Sequence, residues 1–264
     1  MQADGMNQPT ISAQVLRHVA NCLRLTGHPP DVLLASLNLE RIDWQDPTAE
    51  IPLVQFLQFT ERAAKASGNP NFGLHAGRLN SPDKLGPFDF LFLSAPNLRV
   101  AFAGANDFLA TVQGTTRSHF FEGDGLATYE YAILDQSLSN RAQDAEFSLA
   151  TVHNLCQTYV GSDFELVEVR FEHSCLSNPK VYRDFFGCDV YFEHDVNSIS
   201  FDVRLLEKSG TALDPALFPI ILDHVKRLAN RVGASMSASE QARKVLSNSD
   251  FARPPRLQDV AGIM

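Results

Sequence analysis

The stretch TTRSHFFEGDGLATYEYAIL, residues 115–134, is where the sequence changes from helical to strand-like patterns. Two runs rich in β-branched and aromatic residues flank the pair Asp124-Gly125, and such an arrangement is a strong signal for a two-residue hairpin turn. A metal or phosphate loop is the alternative interpretation, but one carboxylate between glycines supplies too few ligands. We therefore predict a β-hairpin.

The chain before the hairpin is predicted to be mainly helical. Apolar residues recur with helical period in three segments, 11–25, 51–67 and 97–113. Pro52 suits the first turn of the second helix, and Gly68 suits its end. The segment NPNFG after Gly68 is predicted to form a turn.

Helix and strand signals alternate after the hairpin. A helix is predicted from about Ala142 to Val160, and ELVEVRFEHS (165–174) alternates as a strand that places Val167, Val169 and Phe171 on one face. The segments 188–194 and 198–206 have the composition of further strands. Helices followed by runs of strands predict an α+β fold: a helical N-terminal half, then an antiparallel sheet with helices.

The C-terminal quarter has a different organisation. Residues 214–232 form an amphipathic helix pattern, and GASMSAS (233–239) has the small, polar composition of a linker. We predict an effector-sensing and dimerisation domain over 1–232, then this linker, and the start of a helix-turn-helix over 240–264. The dimer seam is predicted at Leu217, Ile221, Val225 and Leu228, although packing of this helix on its own domain explains the pattern equally well.

Charge is distributed unevenly along the 264 residues, whose net charge is −9. Residues 224–264 hold seven basic and three acidic side chains, which leaves fifteen basic and twenty-eight acidic side chains in residues 1–223. An acidic body with a basic tail is the pattern expected when only the tail meets a polyanion such as DNA. A solvated basic helix is the alternative interpretation.

The remaining composition indicates a protein of the cytoplasm. The N-terminus has no signal-peptide pattern, and no apolar run is long enough to span a bilayer, so no membrane association is expected. Four cysteines lie far apart without a CxxC pair, which predicts free thiols.

No catalytic motif stands out, and neither an enzyme nor a cofactor is expected. One alternative is a metal- or thiol-dependent enzyme that uses His153, Cys156, His173 and Cys175 as zinc ligands, although their spacing matches no familiar zinc motif. Asp144 and Glu146 begin the predicted helix at 142, where carboxylates suit the helix dipole, so we expect them to be structural.

The tail SASEQARKVLSNSDFARPPRLQDVAGIM (237–264) resembles the start of the DNA-binding region of AraC/XylS-family transcription regulators, including the Val260-Ala261 pair of the first helix. Four stretches of the body resemble the arabinose-binding type N-terminal domain of that family. They are NPNFGLHAG (69–77), LGPFDFLFLSAPNLRVAF (85–102), VRFEHS (169–174) and YRDFFGCDVYFEHDVNSISFDVRLL (182–206).

This resemblance implies an effector-binding, dimerising regulator that ends inside its helix-turn-helix. Because the recognition helix is missing, DNA is expected as a partner of a full-length protein and only poorly of this chain. Arg253, Arg256 and Gln258 are expected to be the remaining phosphate contacts. The effector is an unknown small molecule, and a homodimer is expected.

The polar residues predicted for the effector pocket lie on strands, which hold side chains rigidly. They are His119, Tyr129 and Tyr131 on the hairpin and His173 on the next strand. A protein-interaction module that acts only through its 214–232 helix is a further alternative.

Overall fold

The computed structural model describes residues 9–46, 48–79, 86–112, 116–210 and 212–235, with the backbone alone for 106–112 and 228–235. The helices are α1 (Ala13–Leu25), α2 (Asp31–Ser36), α3 (Leu53–Ser67), α4 (Phe72–Arg78), α5 (Pro87–Ser94), α6 (Leu98–Val112), α7 (Ala142–Val160), α8 (Pro179–Phe186) and α9 (Phe218–Ser235). The strands are β1 (Thr10–Ser12), β2 (Glu50–Pro52), β3 (Thr116–Gly123), β4 (Leu126–Ile133), β5 (Leu166–Arg170), β6 (Asp189–Tyr191) and β7 (Asn197–Asp202).

The predicted α+β class is confirmed. The main sheet has five strands in the order β3-β4-β7-β5-β6. All of its pairs are antiparallel except β5 with β6, which is parallel. The first half of the described chain is helical, apart from a small antiparallel pair, β1 with β2.

The hairpin forms as its turn residues require. Gly123 pairs with Leu126 across the turn, and the two residues between them have positive φ, 53° at Asp124 and 79° at Gly125. Two consecutive positive φ angles define the tight turn whose twist matches the flanking strands, and Asp-Gly adopts them at little cost.

The strand β5 corrects one sequence prediction. The prediction placed Val167 on the same face as Val169, but the pairing register with β7 shifts between Leu166 and Glu168. This bulge turns Val167 outward, where it is 49% exposed, while Leu166 is buried in its place. Strict alternation does not reveal an extra residue, so the sequence pattern gave the wrong face.

The segment 179–186 corrects a second expectation. Sequence reasoning assigned no helix between β5 and the following strand, yet α8 forms there with Asn178 as its N-cap and Pro179 in its first turn. Tyr182 and Phe186, four residues apart, form its buried face. Gly187 ends the helix with a left-handed φ of 75°.

The helices α4 and α7 pack at very short range through two glycines. A Cβ at Gly73 would lie 2.2 Å from the Gln143 carbonyl oxygen, and a Cβ at Gly77 would lie 2.6 Å from the Ala150 Cβ. Glycine is therefore required at both positions. The NPNFG segment forms the predicted turn at Pro70 and Asn71 and then leads into α4 at Phe72.

The helix α9 follows the sheet and packs against α5 and α6. Its backbone is helical through Ser235, three residues into the predicted linker, and the division of the chain at 232 and 239 stays a prediction. Residues 236–264, which include the predicted helix-turn-helix start, lie outside the described residues. In the described part of the chain, none of the helices is both long and apolar enough to cross a bilayer.

Candidate functional site

The inner face of the hairpin meets the first turn of α7 at a buried polar pair. Tyr129 and Tyr131 alternate onto the inner face of β4, where both are buried. The Tyr131 hydroxyl donates a hydrogen bond of 2.8 Å to Asp144 Oδ2. Burial raises the pKa of Tyr129 to about 12, and it raises that of Tyr131 well above its usual value, so both phenols stay protonated.

A second carboxyl lies two residues further along α7. Glu146 is fully buried, and its Oε1 accepts hydrogen bonds from the Tyr182 hydroxyl at 2.6 Å and from Asn71 Nδ2 at 3.4 Å. Asn71 Oδ1 in turn accepts from the Ser177 hydroxyl at 2.5 Å. Glu146 therefore joins α7 to α8, to the start of α4 and to the loop before α8.

Burial dominates the electrostatics of both carboxyls. It raises the pKa of Asp144 from 3.8 to about 7 and the pKa of Glu146 from 4.5 to about 8. The phenol hydrogen bonds from Tyr131 and Tyr182 act in the opposite direction, since they favour the ionised forms, but they are the smaller effect. The carboxyl groups of Asp144 and Glu146 therefore keep their protons up to about neutral pH.

The expectation for Asp144 and Glu146 was a structural role at the helix start, and their hydrogen bonds do tie elements together. Their burial was not foreseen. Exposed carboxylates are common in a first helical turn, so the sequence gives no warning that these two lie inside the protein.

His153 lies two turns after Glu146 on α7 and is buried, with 4% of its surface exposed. Three phenylalanine rings surround it, with centroid distances of 6.0 Å to Phe164, 6.0 Å to Phe185 and 5.4 Å to Phe186. Neither ring nitrogen has a hydrogen-bond partner among the described residues. Burial lowers its pKa to about 4, so the imidazole is neutral at physiological pH.

His173 is half-buried at the end of the strand region that contains β5. Its ring lies 4.8 Å from Phe171 and 6.0 Å from Phe192, measured between centroids. Its Nδ1 contacts the Ser174 carbonyl oxygen at 2.8 Å, whereas its Nε2 is buried and has no hydrogen-bond partner among the described residues. His173 therefore borders the same aromatic cluster as α8.

The structure separates the fourth predicted pocket residue from the others. His119 pairs with Glu130 across the hairpin, which places it on the face opposite to Tyr129 and Tyr131. Its side chain is 48% exposed, and its Nδ1 lies 3.6 Å from Glu130 Oε2. One pocket cannot hold the side chains of both His119 and Tyr131.

The alternative zinc site does not assemble in the described part of the chain. No group of three His, Cys, Asp or Glu side chains there is placed to hold a metal ion. Cys156 is completely buried, while the Cys175 thiol donates a hydrogen bond of 3.0 Å to the Ser177 carbonyl oxygen. The cysteines of this alternative therefore act as packing residues and local hydrogen-bond donors.

The predicted dimer seam is divided between surface and core. Leu217 is 40% exposed and Ile221 is half-buried, but Val225 is buried against its own domain. The side chain of Leu228 and the predicted DNA-contacting residues Arg253, Arg256 and Gln258 lie outside the described residues.

The fold and the residues of this region are those of a known regulator domain. Residues 27–209 match the sequence model of the arabinose-binding domain that forms the N-terminal part of AraC transcription regulators, which is more than half of the chain. The chain belongs to the AraC family of transcription regulators. Residues 27–209 are thus the regulatory, effector-binding part of an AraC-type regulator, as the resemblance implied.

A solved structure of a regulator supports the fold of this AraC-type chain. The crystal structure of the transcriptional regulator CdpR from Pseudomonas aeruginosa is similar, with a TM-score of 0.62 and 15% sequence identity, over 89% of this chain and 69% of CdpR. At that identity the similarity concerns the fold alone. Among curated proteins, none matches the chain significantly.

Family and fold are those of transcription regulators, and membership in the AraC family implies DNA and a small-molecule effector as partners. Sequence reasoning missed Glu146, Tyr182 and His153 as members of one buried layer. The available signal was the spacing of seven between Glu146 and His153, which places both on one helix face.

Proposed function

We propose that residues 1–232 sense a small-molecule effector and pass its binding state through α9 to DNA-contacting residues in 240–264. The match of residues 27–209 to the regulator domain carries this proposal, because α9 begins nine residues after that match and leads directly to the basic tail. The mechanism is a population shift, in which the effector binds one arrangement of the domain better than another.

Three of the predicted pocket residues are proposed to act at the effector site in different ways. His173 borders the aromatic cluster under α8 and offers its buried Nε2. Tyr131 acts indirectly through its hydrogen bond to Asp144, and Tyr129 forms part of the same inner wall. His119 on the outer face is proposed to contribute to an external contact rather than to the effector.

The DNA-contacting role of Arg253, Arg256 and Gln258 also remains a proposal. A few phosphate contacts give weak binding without sequence preference, and such binding falls steeply as salt increases. We expect fluorescence anisotropy with a random duplex to show weak association at low salt, reduced by a triple alanine substitution. Salt-independent binding would contradict a phosphate-based contact.

A screen of metabolites by thermal unfolding of the full chain tests the effector-sensing function. A molecule that binds the folded state raises its stability by about 2.7 kcal/mol at one hundred times its Kd. We expect at least one metabolite to raise the melting temperature in a concentration-dependent, saturable manner. If none of a broad set of amino acids, amines, sugars and aromatic acids does so, the proposal is wrong.

A homodimer formed through α9 is the second candidate function, and exposed apolar side chains at the start of that helix and directly before it favour it. Ile220 is 66% exposed and Leu217 is 40% exposed, and both are side chains that proteins usually cover. Light scattering on Ile220→Asp and Leu217→Asp should show a monomer where the parent chain is a dimer. Lys226→Asp, at an exposed position of the same helix, is the matched control. An unchanged dimer in the first two variants would exclude this patch from the interface.

A further inference from the structure

Glu146 and His153 are buried in the layer between α7 and α8, and the half-buried His173 borders the aromatic cluster of that layer. Glu146 Oε2, both ring nitrogens of His153 and Nε2 of His173 are the buried acidic and histidine atoms that have no hydrogen-bond partner among the described residues. Leaving a buried polar group unpaired costs free energy, so native proteins keep few of them without a functional reason. Their concentration in one layer points to a ligand.

The geometry of α7 places two of these residues in line. Glu146 and His153 are seven residues apart, so they lie on one helix face, separated by about 10 Å along the helix axis. The helix α8 covers both ends: the Tyr182 hydroxyl bonds to Glu146, and the Phe185 and Phe186 rings contact His153. The layer therefore has a polar group at each end.

The middle of the layer is apolar and largely aromatic. The ring of Phe171 lies 6.1 Å from the ring of Tyr182 and 6.1 Å from that of Phe186, measured between centroids. Leu149, between Glu146 and His153 on α7, is completely buried, whereas the neighbouring Ala150 packs against Gly77 of α4. These rings are in contact with one another, so a ligand can enter only where α8 moves away, and an aromatic ligand would then replace the lost ring contacts with its own.

The two ends differ in the chemistry that they accept. Glu146 Oε1 already accepts from Tyr182 and Asn71, and the Leu74 amide of α4 also faces the carboxyl. Because Oε2 has no partner within hydrogen-bond geometry among the described residues, it can still accept from a strong donor such as an ammonium group. His153 is neutral and so offers one N–H donor and one nitrogen acceptor, which suits a hydroxyl or carbonyl group rather than a charge.

We propose that the α7–α8 layer is the effector site, and that its ligand is an aromatic amine. The ammonium group binds Glu146, the ring lies among Phe171, Tyr182 and Phe186, and a neutral polar substituent bonds to His153. The identification of the ligand class depends on the proposed effector-sensing function. The helix α8, which reaches α7 through these side chains, moves to admit the ligand.

Calorimetric titration of the full chain with tyramine tests the ligand class. Tyramine carries both an ammonium and a hydroxyl group, phenethylamine lacks the hydroxyl, and 4-ethylphenol lacks the amine. We expect saturable binding of tyramine, with each analogue weaker by about tenfold or more, because each loses one hydrogen-bonded end.

Proton release provides a second readout of the same titration. The groups that face the Glu146 carboxyl are Tyr182 from α8, Asn71, the Leu74 amide of α4 and, through its charge, Glu61 from α3. None of these is a cation, so an arriving ammonium group stabilises the ionised carboxylate. Titrations at neutral pH in phosphate and in Tris should reveal release of about one proton per tyramine bound.

Substitutions of Glu146 and His153 test whether these two side chains bind tyramine. Glu146→Gln keeps the size of the side chain but cannot ionise, and His153→Phe removes the far hydrogen-bonding group. We expect both to weaken tyramine binding by about tenfold or more. Asp184→Asn is the matched control, because Asp184 is an acid on α8 whose side chain is 62% exposed and pairs with Lys180 on the surface. It should leave binding unchanged, and near-UV circular dichroism verifies that each variant is folded.

Two results would overturn the proposal. One is the absence of saturable binding by all three probes at concentrations up to about 1 mM, above which binding would be too weak to be specific. The other is tyramine binding that folded Glu146→Gln and His153→Phe variants retain. Stabilisation by a different metabolite, unaffected by Glu146→Gln, would reject this site and ligand class while leaving the effector-sensing function intact.

Discussion

The Tyr131 hydroxyl donates a 2.8 Å hydrogen bond to Asp144 Oδ2, and this bond joins the second strand of the hairpin to the first turn of α7. Both residues are buried, with Tyr131 6% exposed and Asp144 2% exposed. Because water cannot replace a lost partner there, the bond matters more than an equivalent bond on the surface.

Removal of this hydroxyl is the first prediction. Tyr131→Phe leaves a buried Asp144 oxygen without its donor, so we expect the free energy of unfolding to fall by about 1–3 kcal/mol. Urea denaturation at pH 6 provides the measurement. Tyr191→Phe, at a residue that is 44% exposed, is the control and should change stability by less than about 0.5 kcal/mol. Equal effects of the two variants would contradict a specific role for the bond.

The second prediction concerns pH. The folded protein keeps protons on Asp144 up to about pH 7 and on Glu146 up to about pH 8, whereas the unfolded chain loses them near pH 4. Since the folded state binds more protons in this window, stability falls as pH rises from about 4 to 8. Urea midpoints measured across that range test the slope.

Substitutions identify the source of this slope. Asp144→Asn and Glu146→Gln cannot lose a proton, so each should flatten the decline, and the double variant should remove most of it. A slope that persists unchanged in the double variant would assign it to other groups.

The third prediction concerns His153. Burial lowers its pKa from 6.5 to about 4, so the unfolded chain takes up a proton first and stability falls as pH drops from about 6.5 to 4. His153→Phe removes this loss together with the unpaired nitrogens, and we expect about 1–3 kcal/mol of stabilisation at pH 5. His194→Phe, at an exposed histidine, is the control and should have no such effect. Destabilisation by His153→Phe would indicate that the imidazole is better accommodated than a phenyl ring.

The fourth prediction concerns close helix packing. Gly73→Ala places a methyl group 2.2 Å from the Gln143 carbonyl oxygen, so the backbones of α4 and α7 must separate. We expect a loss of about 2–3 kcal/mol in the free energy of unfolding. Gly104→Ala on α6 is the control, since its methyl group would lie 3.5 Å from Leu91 Cδ2, an ordinary contact. That variant should gain about 0.5–1 kcal/mol from helix propensity, and thermal unfolding of both variants distinguishes the outcomes.

Local signals determined which parts of the fold were predictable. The Asp124-Gly125 turn and the α7 bounds Ala142 and Val160 follow from nearby residues, and both predictions are confirmed. The bulge at Val167 depends on the register with β7, which alternation does not encode. The helix α8 carried a local signal in Pro179 with the Tyr182 and Phe186 pair, but the aromatic run that continues past it has the composition of a strand.

The candidate site was less predictable because its contacts are distant in sequence. Tyr182 lies 36 residues from Glu146, and Asn71 lies 75 residues from it. No local sequence pattern predicts that these side chains are in contact. Strand alternation places Tyr129 and Tyr131 on one face and His119 on the opposite face, as the pairing register shows.

The burial of Val225 holds α9 at one point along its length, so a tilt of the helix about that point is largest at its C-terminal end. Among the α9 side chains that the structure describes, residues 218–227, Val225 is the buried one, and the helix continues for ten residues to Ser235, a length of about 15 Å. A tilt of about 10° around Val225 would displace Ser235 by between about 2 and 3 Å, which changes where the following residues can make contacts. A small rearrangement at Val225 therefore produces a larger displacement at Ser235, where the chain continues into residues 236–264.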